Sequence, residues 1–87
     1  MLGNYIELKI GKMRKPQSFL VQNVNVVGGG KTIILQSSKA IGQLDAETGA
    51  FKFNPKGCYF HHLAFAQPVE LAEELKEKIL ELAGGEA

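Results

Sequence analysis

Residues 68–83 carry the pattern that most restricts how this chain can fold. Pro68 suits the first turn of a helix, where a missing N–H costs no hydrogen bond, and Gly84-Gly85 supply a stop. At about 100° per residue, Leu71, Leu75, Ile79 and Leu82 with Ala72 and Ala83 form one apolar arc, while Glu70, Glu73, Glu74, Glu77 and Glu81 gather on the other side. A helix divided in this way has to lay its apolar side on a partner surface. The preceding residues must supply that surface.

They read as short strands separated by turns. Tyr5-Ile6-Glu7-Leu8-Lys9-Ile10 alternates strictly, with Ile6, Leu8 and Ile10 on one face and Tyr5, Glu7 and Lys9 on the other. Gly11 to Ser18 holds glycine, proline and three cations without an apolar period, so a loop is expected there. Phe19 to Val27 is rich in β-branched residues, with Leu20, Val24 and Val26 assigned to one face and Asn23 and Asn25 to the other. Further strands are expected over Thr32–Leu35, Ala40–Leu44 and Ala50–Phe53. Asp45-Ala46-Glu47-Thr48-Gly49 forms the turn before the last of these, with Asp45 accepting local amide hydrogens and Gly49 taking the left-handed position. After Asn54-Pro55-Lys56-Gly57, the stretch Cys58–Phe65 fits either a last strand or a buried irregular segment.

The segment Val26-Val27-Gly28-Gly29-Gly30-Lys31-Thr32-Ile33-Ile34 resembles a phosphate-binding loop only at first sight. Counting back from Gly30-Lys31-Thr32, the first glycine of G-x-x-x-x-G-K-[ST] should stand where Asn25 is. That motif also needs a helix after the lysine, whereas Thr32-Ile33-Ile34-Leu35 has strand character. Gly28–Gly30 are therefore expected to reverse the chain in a hairpin.

A chain of 87 residues accommodates one core, since at this size only about 60 to 65% of the unfolded surface is buried. The expected fold is α+β: a small antiparallel β-meander or partial barrel of about five strands, packed by one C-terminal helix. Residues 1–66 form the β-rich body and 67–83 the helix, within a single domain 1–87. The lone Cys58 excludes an internal disulfide, no apolar run approaches the roughly 18 residues of a membrane span, and the first residues lack a signal-like pattern. A cytoplasmic location without membrane attachment is expected.

Charge is unevenly distributed although the net value is only +1. Residues 1–66 hold eight Lys or Arg against three acids, and residues 67–87 hold two Lys against six Glu. Lys12, Arg14 and Lys15, joined by Lys9, Lys31 and Lys39, have the composition of a phosphate-contacting patch if the hairpin ends share a rim. The acidic stripe places like charges four residues apart, each pair costing about 0.2–0.5 kcal/mol on an isolated helix. A contact between subunits through Glu73, Glu77, Leu80 and Glu81 would offset that cost, with cations of this chain or of a second copy facing the stripe.

Cys58, His61 and His62 are the densest chemical cluster, with donors suited to zinc or to a thiol nucleophile and its base. A closed metal site lacks its fourth ligand within this set. No catalytic residue, metal site or cofactor is therefore assigned. The sequence points to a non-enzymatic interaction module, self-associating and binding a protein or nucleic-acid backbone through a basic rim. The alternative is a small metal-dependent or thiol enzyme centred on Cys58, His61 and His62.

Overall fold

The computed structural model describes residues 4–25 and 31–84. Strands β1 (Asn4–Leu8), β2 (Gln17–Asn25), β3 (Lys31–Gln36), β4 (Ile41–Asp45), β5 (Phe51–Asn54) and β6 (Gln67–Pro68) lie side by side in chain order. Every neighbouring pair is antiparallel. The sheet is an open meander, with β1 and β6 at its edges. A short 3-10 helix, Phe60–Phe65, precedes β6, and α1 (Glu73–Gly84) follows it.

The glycine run Gly28–Gly30 lies outside the described residues, but β2 and β3 pair across it with Asn25 opposite Lys31. The residues after Lys31 are strand and not helix, which excludes the phosphate-loop geometry. The β4–β5 turn matches expectation closely. Asp45 Oδ1 accepts from the amides of Glu47 and Thr48 at 2.8 and 3.3 Å, and Gly49 adopts φ +79°.

Pleating sorts the side chains onto two faces. Phe19, Val21, Ile33, Leu35, Leu44, Phe51 and Phe53 share one face and form the main core with Leu8, Ile10 and Ala40. Within it the ring of Phe19 meets that of Phe53 edge-on at 6.1 Å, the preferred aromatic geometry. Gly42 belongs to the same face because the Phe51 ring lies over it; a Cβ there would stand 3.0 Å from that ring.

β2 is turned over relative to the sequence expectation. Phe19 and Val21 point into the core, Asn23 shares their face, and Leu20 lies opposite. Phe19 is the largest fully buried side chain, and it decided the register. Asn23 is accommodated at the end of that face, where its Nδ2 donates to the Ala83 carbonyl at 3.5 Å.

The helix begins later than Pro68. Gln67–Pro68 pair with β5 as an edge strand, where a proline is tolerated, and the Val69 amide donates to the Phe51 carbonyl at 3.1 Å. The backbone is thus engaged with β5 as far as Val69, and the first helical turn starts at Ala72, whose carbonyl accepts from Leu75 and Lys76. Glu70 and Leu71 consequently precede the helix. The remaining apolar arc docks as expected: Ile79 and Ala83 are buried, and Leu75 and Leu82 pack against the same core, as does Leu71 from outside the helix. Asn4 Nδ2 donates to the Leu82 carbonyl at 2.8 Å, tying the last turn to β1.

The opposite face is covered only in part. Ile34 and Ile41 are buried on it, and Cys58–Phe65 lies against it. Gln36 Nε2 donates to the Cys58 carbonyl at 2.6 Å and Asn54 Nδ2 to the His62 carbonyl at 3.0 Å. Cys58–Phe65 is irregular, as one of the two expectations had it, but not buried: Phe60–Phe65 forms a 3-10 turn with no fully buried residue.

Candidate nucleic-acid interface

In an antiparallel meander, alternate connections leave from the same end of the sheet. The connections after β1, β3 and β5 therefore emerge together, and they contain Lys9, Lys12, Arg14, Lys15, Lys39 and Lys56. All six side chains are exposed. No Asp or Glu lies in these three connections up to Phe65; the nearest is Glu7, within β1.

Each cationic segment is held by apolar or hydrogen-bonded anchors. Ile10 is buried and Met13 packs against the core; the Met13 amide donates to the Ile10 carbonyl at 3.3 Å, and Gly11 turns the chain at φ +63°. That arrangement fixes the loop from beneath and leaves Lys12, Arg14 and Lys15 outward. In the β3–β4 turn, Ser37 Oγ accepts from the amides of Lys39 and Ala40 at 3.1 and 2.9 Å and donates to Gln17 Oε1 at 3.0 Å. The turn carrying Lys39 is thereby bound to the start of β2. Arg14, Lys15, Gln17, Ser37 and Lys39 line one open groove of about 580 Å³.

Lys31 does not join them. Its backbone pairs with Asn25, at the far end of β2 from Gln17. β2 has nine residues, which at about 3.4 Å each puts roughly 30 Å between its ends. Strand order sets which hairpin ends share a rim, and the connection before Lys31 belongs to the other set. The expected patch therefore loses Lys31, keeps Lys9 and Lys39, and gains Lys56.

Apart from Glu7, the acids of the described residues collect at the opposite end. Asp45 and Glu47 lie in the β4–β5 turn, beside Glu73 and Glu77 of α1. Glu73, Glu77, Leu80 and Glu81 are all exposed. Among the described residues the one ion pair is Lys76 Nζ to Glu73 Oε2 at 3.5 Å, within the helix itself. The cations of the connections after β1, β3 and β5 lie at the other end of the sheet from the stripe within one chain. A Debye length of about 8 Å at physiological salt is short beside the separation of the ends, so the acids leave the field of the cationic end largely intact.

Cys58, His61 and His62 stand beside the cationic end. The histidine rings lie 4.2 Å apart, and Tyr59 is nearly parallel to His61, with an interplanar angle of 7° and centroids 5.8 Å apart. The Tyr59 amide donates to His62 Nδ1 at 3.1 Å, which occupies one of that ring's two nitrogens. Gly57 admits the ring, because a Cβ would fall 2.5 Å from His62 Cγ. Among the described residues no three His, Cys, Asp or Glu side chains converge as a metal site would require.

Sequence reasoning missed Tyr59, Phe60 and Phe65 as surface residues. They are 61, 49 and 70% exposed, on a segment held by Gln36 and Asn54. The available signal was the loss of alternation after Gly57, with two histidines interrupting the aromatics. No described helix is long and apolar enough to cross a membrane. Compared with family models, curated proteins and solved structures, the chain shows no significant match.

Proposed function

We propose that this protein is a non-enzymatic interaction module that binds the phosphate backbone of nucleic acid through its cationic end. The observation that carries the reading is the gathering of Lys9, Lys12, Arg14, Lys15, Lys39 and Lys56 at one end of the sheet with no acid in the same connections. Phosphate contacts release condensed counterions, so affinity should fall linearly with salt on a logarithmic plot. Four or five contacts give a slope of about −3 to −5. Titrating labelled random-sequence oligonucleotides from low to high salt, followed by fluorescence anisotropy, measures that slope. Binding that is absent at low salt, or indifferent to salt, removes the proposal.

A second reading, self-association, is favoured by the two-ended charge distribution. The acidic end, with Glu73, Glu77, Glu81 and the exposed Leu80, complements the cationic end of another copy. Such a contact is head-to-tail and weakens with salt. Sedimentation at low and high salt tests it, and a monomer under both conditions ends it.

A further inference from the structure

We infer that the cationic end takes single-stranded rather than duplex nucleic acid, with Tyr59 and Phe60 supplying the surface on which bases stack. The inference rests on the phosphate-binding reading above and adds which form of nucleic acid is bound.

Three of the five large hydrophobic side chains exposed among the described residues are Tyr59, Phe60 and Phe65. Their concentration in one short segment is the least expected feature of this surface, since aromatic rings gain most from leaving water. The segment is rigidly seated: Gln36 holds the Cys58 carbonyl, Asn54 holds the His62 carbonyl, and the Tyr59 amide is bonded to His62 Nδ1. Tyr59 is further backed by the nearly parallel ring of His61. The contact from Gln36 also fixes its position, because Gln36 ends β3 and adjoins the Ser37–Ala40 turn that presents Lys39. Lys56 precedes the aromatics by a few residues. Phosphate-binding cations and base-sized rings thus share one end of the molecule.

That combination distinguishes single strands from duplexes. In a duplex the faces of the bases are occupied by their neighbours, and a protein reaches only phosphates and groove edges. An unpaired strand exposes its π faces, and aromatic side chains beside a cationic track are the usual means of holding it. The α-helix of the described residues, α1, carries Glu73, Glu74, Glu77 and Glu81 at the other end of the sheet, so the cationic end offers no helix to enter a duplex groove.

The experiment compares labelled oligothymidylate, oligouridylate and a duplex of equal length with the whole chain at one low salt concentration, then repeats the set with Tyr59→Ala and Tyr59→Phe. Both single strands should bind at least tenfold more tightly than the duplex; their relative order reports any preference between RNA and DNA. Tyr59→Ala should weaken single-strand binding by about 5- to 150-fold, the range for loss of one base–aromatic stack. It should leave duplex binding and the salt slope unchanged, and Tyr59→Phe should restore the affinity. Because Tyr59 is exposed, unchanged circular dichroism and melting are expected for both variants. Equal binding of duplex and single strand, or an unchanged affinity on Tyr59→Ala, overturns the inference while salt-dependent binding keeps the phosphate reading. Failure to bind any of the three probes overturns both.

Discussion

Truncating Ile79 to alanine tests whether the helix closes the core. Ile79 is 0% exposed and lies among the residues of the main cluster. Ile79→Ala removes three carbons, worth about 2.4 kcal/mol at about 0.8 kcal/mol per buried methylene, and the residual cavity raises the cost to about 3–4 kcal/mol. A chain of 87 residues has a stability of about 4–13 kcal/mol at 0.05–0.15 kcal/mol per residue. The substitution therefore consumes between a quarter and nearly all of it. With a urea m-value of about 1 kcal/mol/M for so small a domain, the midpoint should fall by about 3 M, or the chain should be unfolded in buffer. The neighbouring Leu80 is 39% exposed on the outer side of the same helix, and Leu80→Ala should cost only about 0.5 kcal/mol. Urea titrations followed by far-ultraviolet circular dichroism give both values. If the two variants shift the midpoint equally, α1 does not pack on the sheet through Ile79, and the placement of the acidic stripe fails with it.

Gly49→Ala should cost about 1–2 kcal/mol in the same titration, because φ is +79° while the nearest atom to the new Cβ, Lys76 Nζ, lies at an unstrained 3.7 Å; no loss of stability would contradict the turn. Ser37→Ala removes the acceptor for the Lys39 and Ala40 amides and should cost about 1 kcal/mol, readable as a lower melting temperature. Gly57→Ala should displace the His62 ring, visible as a change in the histidine proton resonances, while the overall strand signal in circular dichroism persists. Lys15→Ala combined with Lys39→Ala should reduce the salt slope for oligonucleotide binding by about 1–2, with little effect on stability because both side chains are exposed.

Much of the fold was legible because it depends on local chemistry. The Asp45–Gly49 turn is specified by an acceptor and a residue free to adopt positive φ, and the arc through Leu75, Ile79 and Ala83 by helical periodicity alone. The errors arose where a distant partner decided between local options. In β2 both faces hold apolar residues, so alternation could not choose between Leu20 and Phe19; the larger ring took the core. Pro68 fits a helix start and an edge strand equally well, and pairing with β5 decided for the strand. The exposure of Tyr59, Phe60 and Phe65 contradicts the usual burial of aromatics, and only the tertiary position of Cys58–Phe65 reveals it.

The cationic surface follows from a parity rule that composition does not contain. Lys9 to Lys15, Lys39 and Lys56 are separated in sequence by about the length of one hairpin each, so no linear window finds them together. In a meander, connections one, three and five leave from one end of the sheet and two and four from the other. Counting strands therefore assigns every loop charge to an end before any coordinate is known. Applied here, the count sends Lys31 to the end that also holds Asp45 and Glu47, and it unites Lys56 with Lys15 and Lys39. A reversal of the charges on one odd connection should consequently be felt across the others. Lys39→Glu should weaken oligonucleotide binding more than Lys52→Glu, since Lys52 lies within β5, paired with Gln43 and Pro68, and outside the connections of the cationic end. Equal effects from the two would mean that net charge, and not the sharing of one end, governs the binding.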